Sequence, residues 1–337
     1  MKEANLHQPI GCYAAWNMNY DERINSASGG LVTAFSMYII EKLNGVVYGV
    51  TLDSSLKPIY QRAQNKFDIL KFQGSRYVQA HVGDAFKWVK NDLEKGQFVL
   101  FIGLPCRVLA LLKYLDAQYT NLITIDLVCH GACPAKYFEE EISNIIVKKK
   151  LHNIDDVRFR SNDKNNYHLT LWSSNKIAYS KPAKKQFYFL GFLKGITLGQ
   201  KCYDCAFQTH KRIGDISAGD FIGLGNDAPF QFDTKNVSLI LTNTINGQAF
   251  FENTTSFFTN IRYVNRPVSE AIQYGPSLNG NAPRNKARNQ NFLMRYHKYG
   301  FYKAVRITLA GEMLHNAIVT GYRCFHHFLH QLKMKIK

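Results

Sequence analysis

The chain has 337 residues, of which 46% are hydrophobic and 20% charged, a globular composition that excludes wholesale disorder. No apolar run reaches the roughly eighteen residues of a membrane-spanning helix, and the first residues lack the apolar core of a secretory signal, so we expect a cytoplasmic protein. The net charge of +17 favours anionic partners, but the clustered basic and aromatic pattern of nucleic-acid-binding proteins is missing.

The first half of the chain alternates between predicted helices and predicted strands. Strands are predicted at 46–52, 98–102 and 122–128, and helices at 28–43, 82–93, 108–115 and 134–150. Ser28 is the predicted N-cap of the first helix. The strand at 98–102 is continuously apolar, which is typical of a strand that is covered on both faces, and the strand at 122–128 is predicted to be buried as well.

The pattern of predicted helices and strands changes near residues 151–155, which we take as a soft internal boundary. The second half contains predicted strands at 157–160, 168–172 and 237–241, a helix at 187–198 and a final helical stretch of about fifty residues. The chain is therefore predicted to be an α/β protein, a mixed sheet with flanking helices. We expect one large domain over 11–301, followed by a basic helical tail over 302–337.

The seven cysteines are the most informative residues. An odd number of cysteines in a cytosolic chain indicates thiolate chemistry or metal binding rather than disulfides. Cys202 and Cys205 form a C-x-x-C pair, a spacing that directs two sulfurs to one metal site. Cys106 and Cys129 each follow a buried strand, and the carboxyl ends of such strands are where ligands bind. Four thiols could therefore share a site, as ligands of zinc or of a 4Fe–4S cluster.

Other interpretations of single cysteines stay open. Cys106 at the start of a helix could be a nucleophile whose pKa is lowered by the helix dipole. Cys12 and Cys324 are predicted to be small buried hydrophobic residues.

Six short motifs occur in a fixed order. They are Ser26-x-Ser28-Gly29-Gly30, Gly74-Ser75-Arg76-Tyr77-Val78-Gln79, Gly103-Leu104-Pro105-Cys106, Asp126-Leu127-Val128-Cys129-His130-Gly131, Cys202-Tyr203-Asp204-Cys205 and Gly214-Asp215-Ile216-x-x-Gly219-Asp220-Phe221. Together they resemble the beta subunit of coenzyme F-420 (deazaflavin) reducing hydrogenase and its bacterial relatives. The resemblance extends from about Gly11 to Phe301, nearly the whole chain.

The resemblance implies a flavoprotein, with FAD and FMN both open, and a 4Fe–4S cluster beside the flavin. By position, the implied cluster ligands are Cys106, Cys129, Cys202 and Cys205. It further implies an iron–sulfur oxidoreductase that passes electrons from a reduced carrier protein through cluster and flavin to an organic substrate, or in the reverse direction. Some relatives act on deazaflavin or chlorophyll precursors, and others are encoded among surface-polysaccharide genes. A small-molecule or sugar substrate is thus expected.

Two departures from the family pattern matter. The ferredoxin-like segment that commonly precedes the position of Gly11 is missing, so a separate ferredoxin-like protein or reductase is expected as electron donor. Cys133 is an extra thiol next to the predicted cluster, either an alternative ligand or an idle neighbour, and we favour the idle neighbour.

Seven residues are predicted to contact the flavin: Ser28, Gly29, Gly30, Arg76, Tyr77, Gly219 and Asp220. The first three open a helix and offer N–H donors to a diphosphate, with a plain helix cap as the alternative. The Arg–Tyr pair could bind a phosphate and stack a ring, or could be a solvated surface pair. The Gly–Asp pair could bring backbone close to the flavin, or could mark a β-bulge.

Two polar residues near Cys129 require an explanation. Asp126 lies within an apolar strand, where an unpaired carboxylate is costly, so we expect a buried partner. His130 is the candidate catalytic residue: it could donate a proton to the substrate, hydrogen-bond a cluster sulfide, or simply orient its loop.

The basic tail has two interpretations. Residues 308–337 have apolar residues at helical spacing, which predicts a helix packed on its own domain, and the alternative is attachment to an anionic surface at the inner face of the membrane. The rival for the whole chain is a zinc-stabilised binding module for an anionic polymer.

Overall fold

The computed structural model describes residues 6–160 and 166–335, and of Lys235 and residues 320–335 it describes the backbone alone. The strands are β1 Gly11–Asn17, β2 Val46–Leu52, β3 Pro58–Ala63, β4 Val99–Gly103, β5 Leu122–Leu127, β6 Asp156–Arg158, β7 His168–Ser173, β8 Lys176–Pro182, β9 Ile216–Asp220, β10 Ser238–Thr242 and β11 Ile261–Asn265. The helices are α1 Tyr20–Ile24, α2 Leu31–Glu41, α3 Lys66–Leu70, α4 Ala85–Glu94, α5 Pro105–Leu115, α6 Ala135–Lys149, α7 Phe187–Leu193, α8 Ile245–Phe257, α9 Val268–Tyr274 and α10 Lys286–Lys335. The predicted mixed α/β class is confirmed.

The large sheet has the strand order β11-β1-β10-β9-β5-β4-β2-β3. Its centre, β2, β4, β5 and β9, is parallel, and antiparallel strands complete both sides. Every residue of β4 is buried, as its continuous apolar sequence predicts. Because the central strands are parallel, their carboxyl ends lie at one edge of the sheet, where loops carry the residues of interest.

A second sheet, β6-β7-β8, is antiparallel and shares a core with α6, α7 and the first part of α10. Helix α10 is broken at Gly300, whose φ of 72° is left-handed. Beyond the break, Phe301 and Leu309 are fully buried in that core. The boundary between the large domain and the basic tail, between residues 301 and 302, stays a prediction. No described helix is both long and apolar enough to cross a membrane.

Several helix ends differ from the sequence prediction, and three of them have an identifiable local reason. Helix α2 begins at Leu31 with Gly30 at its N-cap, at a φ of 87°, so the assignment of Ser28 as N-cap is wrong. The Ser28 hydroxyl instead donates a hydrogen bond to the Val237 carbonyl at 2.8 Å. Helix α5 already begins at Pro105, a residue whose ring suits the first helical turn. Helix α7 ends well short of residue 198 because Gly195 follows with a left-handed φ of 62°.

Candidate functional site

A cavity of about 440 Å³ lies at the carboxyl ends of the parallel strands. Its walls come from the ends of β2, β4, β5 and β9 and from the loops that follow them. Of the predicted flavin contacts, six line it: Ser28, Gly30, Arg76, Tyr77, Gly219 and Asp220. His130 and the predicted ligand Cys129 line it as well. The structure therefore collects predicted residues from distant parts of the sequence around one space.

Two of the predicted flavin-contact glycines, Gly29 and Gly219, pack against neighbouring strands, and Gly29 does not line the cavity. A Cβ on Gly29 would lie 2.3 Å from the Ala15 carbonyl oxygen, so only glycine fits between the loop and β1. The Gly29 N–H donates to the Ser238 hydroxyl at 2.9 Å, which fastens the loop to β10 rather than leaving that N–H to a ligand. Gly219 pairs in regular register with Leu239, so the alternative of a β-bulge is wrong.

Arg76 and Tyr77 are held by neighbouring side chains instead of facing solvent. The Arg76 side chain is only 3% exposed and donates to an Asp156 carboxylate oxygen at 2.9 Å, while its Nε has no partner among the described residues. The Tyr77 ring stacks on Phe192 with 4.5 Å between ring centroids. The alternative of a solvated surface pair is therefore wrong.

Arg160 is a cavity residue that the sequence prediction missed. Its guanidinium pairs with both carboxylate oxygens of Asp220, at 2.6 and 3.3 Å, and donates to the Tyr77 hydroxyl at 3.3 Å. It also donates to the Ala27 carbonyl at 2.5 Å and lies 4.1 Å over the Tyr167 ring. Arg160 thus joins three walls of the cavity. Its sequence position, at the end of an alternating strand, indicates only a wet face, and no local signal shows these distant partners.

The four predicted ligand thiols are electrostatic neighbours. Burial raises the pKa of Cys129 to about 12, and the nearby thiols of Cys202, Cys106 and Cys205 contribute to the increase. The pKa of Cys106 is raised by partial desolvation and by the same C-x-x-C pair, although this residue is exposed at the surface. No three His, Cys, Asp or Glu side chains of the described residues are arranged to hold a single metal ion.

Two hydrogen bonds hold the C-x-x-C loop next to the segment that carries Cys129. The Gly199 N–H donates to the Ala132 carbonyl at 2.9 Å, next to the loop that carries Cys129. The side-chain amide of Gln208 donates to the Cys129 carbonyl, also at 2.9 Å. These bonds fix the loop on both sides of the C-x-x-C pair against the end of β5.

The remaining cysteines differ from this group. Cys133 is fully buried, and its sulfur lies 3.4 Å from the Thr197 hydroxyl, a contact that fits the idle neighbour we favour. Cys12 is buried in β1 as predicted. The side chain of Cys324 lies outside the described residues.

His130 is held by a hydrogen bond to helix α7. Its Nε2 lies 3.0 Å from the Phe192 carbonyl, and because a carbonyl can only accept, Nε2 carries the hydrogen. Burial lowers the pKa of His130 to about 4. The imidazole is therefore neutral at pH 7, with Nδ1 left as an acceptor. This geometry agrees with the loop-orienting role, and the catalytic role of His130 stays a prediction.

Asp126 has the buried partner that its position in an apolar strand predicts. The Arg212 guanidinium pairs with it, and both side chains are at most 1% exposed. The backbone N–H groups of Ile213 and Gly214 donate to the other carboxylate oxygen at 3.0 and 2.8 Å. This carboxylate is fully paired, so its motif fastens β5 to the start of β9.

An open α/β sheet with a cavity and a group of thiols at the carboxyl ends of its parallel strands is typical of a cofactor-binding protein. Residues 96–257 match the family model that describes the C-terminal part of the coenzyme F420 hydrogenase/dehydrogenase beta subunit. The segment 96–257 is therefore similar to the same family that the ordered motifs resemble. The family is one of oxidoreductases.

Two relatives show how far the similarity extends. The coenzyme F420-dependent sulfite reductase of Methanocaldococcus jannaschii is 36% identical over 92 residues, which are 27% of this chain and 14% of that protein. A chain in a xenon-derivatised structure of the F420-reducing NiFe hydrogenase complex from Methanosarcina barkeri matches with a TM-score of 0.53 at 15% identity. That match covers 87% of this chain and 96% of the other and shows a shared fold.

Proposed function

We propose that the protein is an iron–sulfur flavoprotein oxidoreductase whose ligands Cys106, Cys129, Cys202 and Cys205 hold a 4Fe–4S cluster beside a flavin. One observation carries the proposal: Cys129 belongs to the thiol group and also lines the cavity. A cluster held by that thiol would therefore border the space that suits a flavin.

The donor set fits such a cluster. Thiolates are the usual ligands of iron–sulfur clusters, and each binds a separate iron corner, so the four sulfurs surround a space rather than a point. The C-x-x-C pair would supply two corners from one turn, and the ends of β5 and the start of α5 the other two. Because the bound form is the thiolate, the raised pKa values of Cys106 and Cys129 mean that loading releases protons.

The cavity fits a flavin in size and lining. Its volume lies within the range of about 300–1,000 Å³ that is usual for cofactor sites. Tyr77 and Leu127 offer apolar and aromatic surface, and Arg160 and Asp220 offer polar contacts between the walls. We favour FAD and keep FMN as the alternative. When bound, the cluster would supply one-electron transfer and the flavin hydride transfer.

The proposed redox function requires an electron donor and an organic substrate. Cys106 is exposed, so a ferredoxin-like or reductase donor could approach the thiol group from that side. The organic substrate would enter the cavity. A deazaflavin coenzyme, which the family and both relatives carry in their names, is one candidate. A sugar in surface-polysaccharide biosynthesis, suggested by the genes that accompany some relatives, is the other.

The location is a separate part of the proposal: a cytoplasmic protein whose tail contacts an anionic membrane surface. Ile307, Leu314 and Ile318 follow each other at seven and four residues on α10 and are each more than half exposed. They lie on the helix face opposite the buried Val305 and Leu309. Between Arg284 and Lys337 the sequence has 11 basic residues and one acidic residue, and this charge complements anionic lipid headgroups.

Anaerobic purification tests the redox proposal. We expect brown protein with about four irons per chain, the content of one cube, and bound flavin. Colourless protein with stoichiometric zinc would instead support the binding module for an anionic polymer. Selective alkylation of Cys106, with the other thiols silent, would support a thiol enzyme.

A further inference from the structure

The cavity has a second polar end that the predicted flavin contacts do not use. Ser28 is fastened next to β10, whereas Tyr60 lies on β3 and Arg107 on the first turn of α5, several strands away across the sheet. Both Tyr60 and Arg107 line the cavity. Both residues therefore border the same space as the flavin contacts, from its other side.

Tyr60 is a buried residue of the cavity wall whose hydroxyl has no partner among the described residues. Its side chain is 4% exposed, and its ring stacks on Phe101 with centroids 5.2 Å apart and planes within 8°. Among the described residues, the hydroxyl makes no hydrogen bond. A Cβ on Gly103 would lie 2.8 Å from this oxygen, so the glycine provides the room that the hydroxyl occupies. A hydroxyl at the cavity wall that is kept in this way can donate to a ligand or to water.

Arg107 supplies positive charge beside that hydroxyl. Within the part of the chain that the structure describes, its guanidinium forms no ion pair and makes one hydrogen bond, to the Ala80 carbonyl, at a long 3.4 Å. Besides burial, the charged groups that affect the pKa of Tyr60 are Arg107 and the thiol of Cys106, with no carboxylate among them. An oxyanion at this end would therefore meet two donors and no opposing acid.

We propose that the Tyr60 hydroxyl and the Arg107 guanidinium bind an oxyanion, a carboxylate or a phosphate, that belongs to the organic substrate. A counter-charge for the neighbouring thiol group would account for Arg107 but not for the unpartnered hydroxyl. The assignment of the anion to a substrate rests on the proposed function, whereas the binding of the anion does not. The site restricts the substrate to molecules that carry an acidic group.

Calorimetric titration of the protein as purified tests the site, with inorganic phosphate and succinate as probes in chloride buffer. We expect saturable binding of at least one probe, and the stronger probe identifies the kind of oxyanion. Arg107→Gln should weaken binding at least about tenfold, the loss of one charge-assisted hydrogen bond. Tyr60→Phe keeps the ring stack and should weaken binding about threefold or more.

Lys113→Gln is the matched control, because it removes the same charge from an exposed position on the same helix. It should change the affinity less than twofold. The proposal is overturned if the wild-type protein binds neither probe. It is also overturned if both site variants bind the probe as tightly as wild type, or if Lys113→Gln weakens binding as much as the site variants do. Iron, flavin and the unfolding temperature are measured on each sample. Absent iron and flavin would refute the proposed function alone, and unchanged binding in the variants would refute the anion site alone.

Discussion

Strand β5 and the loop that follows it contain two contrasting sites only three residues apart, Asp126 and Cys129. Asp126 is fully buried, and every bond that its carboxylate needs comes from Arg212 and the next two backbone N–H groups. Cys129, just past the strand, accepts one hydrogen bond at its sulfur, from the Gly131 N–H, and lies near three other thiols. A saturated polar group stabilises the fold, whereas a group of neighbouring thiols has capacity for a ligand.

The thiol region gives the largest expected effect. Cys202→Ser should lose nearly all bound iron, because serine replaces one of four thiolate ligands. Iron and acid-labile sulfide are measured by colorimetry on anaerobically purified protein. Cys133→Ser and Cys324→Ser are the controls and should keep wild-type iron. Equal iron in all three variants would remove the ligand assignment.

The saturated region should respond in stability and not in iron. Arg212→Met leaves Asp126 buried without its partner, which should lower the free energy of unfolding by about 3–5 kcal/mol. Urea unfolding followed by circular dichroism measures this change. The folded fraction should still carry wild-type iron. If iron fell in step with the ligand variants, the thiol region and the saturated region would not be separable as we describe.

The Arg160–Asp220 pair could stabilise the fold, as Asp126–Arg212 does, or could contribute to flavin binding, and a substitution of Arg160 distinguishes the two roles. Arg160→Gln removes the contacts that join Asp220, Tyr77 and the Ala27 carbonyl, so we expect flavin to bind about tenfold more weakly, the equivalent of one charged hydrogen bond. Flavin release is followed by fluorescence during dilution. Arg158→Gln is the control, because Arg158 pairs with Asp156 and does not line the cavity. Loss of stability with unchanged flavin affinity would make Arg160 purely structural.

The same contrast explains what the sequence could and could not reveal. Strands β2, β4 and β5 and helix α6 are predicted well because an apolar run, or a proline at a helix start, is a local signal. Cys106 and Cys129 lie at the carboxyl edge of the sheet, as the sequence predicts, because each follows a parallel strand directly. Local patterns also led us to place the N-cap of α2 at Ser28, where Gly30 is found.

Long-range partners are the part that sequence patterns do not contain. Arg212 lies 86 positions from Asp126, and Arg160 lies 60 positions from Asp220. Each looks like an ordinary charged residue in its own segment. Strands β1 and β11 were missed for a related reason. They complete the sheet next to β10 by antiparallel pairing with residues more than two hundred positions away.

The smallest expected effect concerns the exposed apolar residues of α10, which lie far in sequence from Asp126 and Cys129. Leu314→Ser and Ile318→Ser should each reduce binding to vesicles rich in phosphatidylglycerol several-fold, because a half-exposed aliphatic side chain contributes on the order of 1 kcal/mol when buried in the interface. Sedimentation with vesicles measures the bound fraction. His315→Ser, a neighbour off the apolar stripe, should bind like wild type. Equal binding to phosphatidylcholine vesicles, or binding that does not weaken with salt, would contradict attachment through the basic helix.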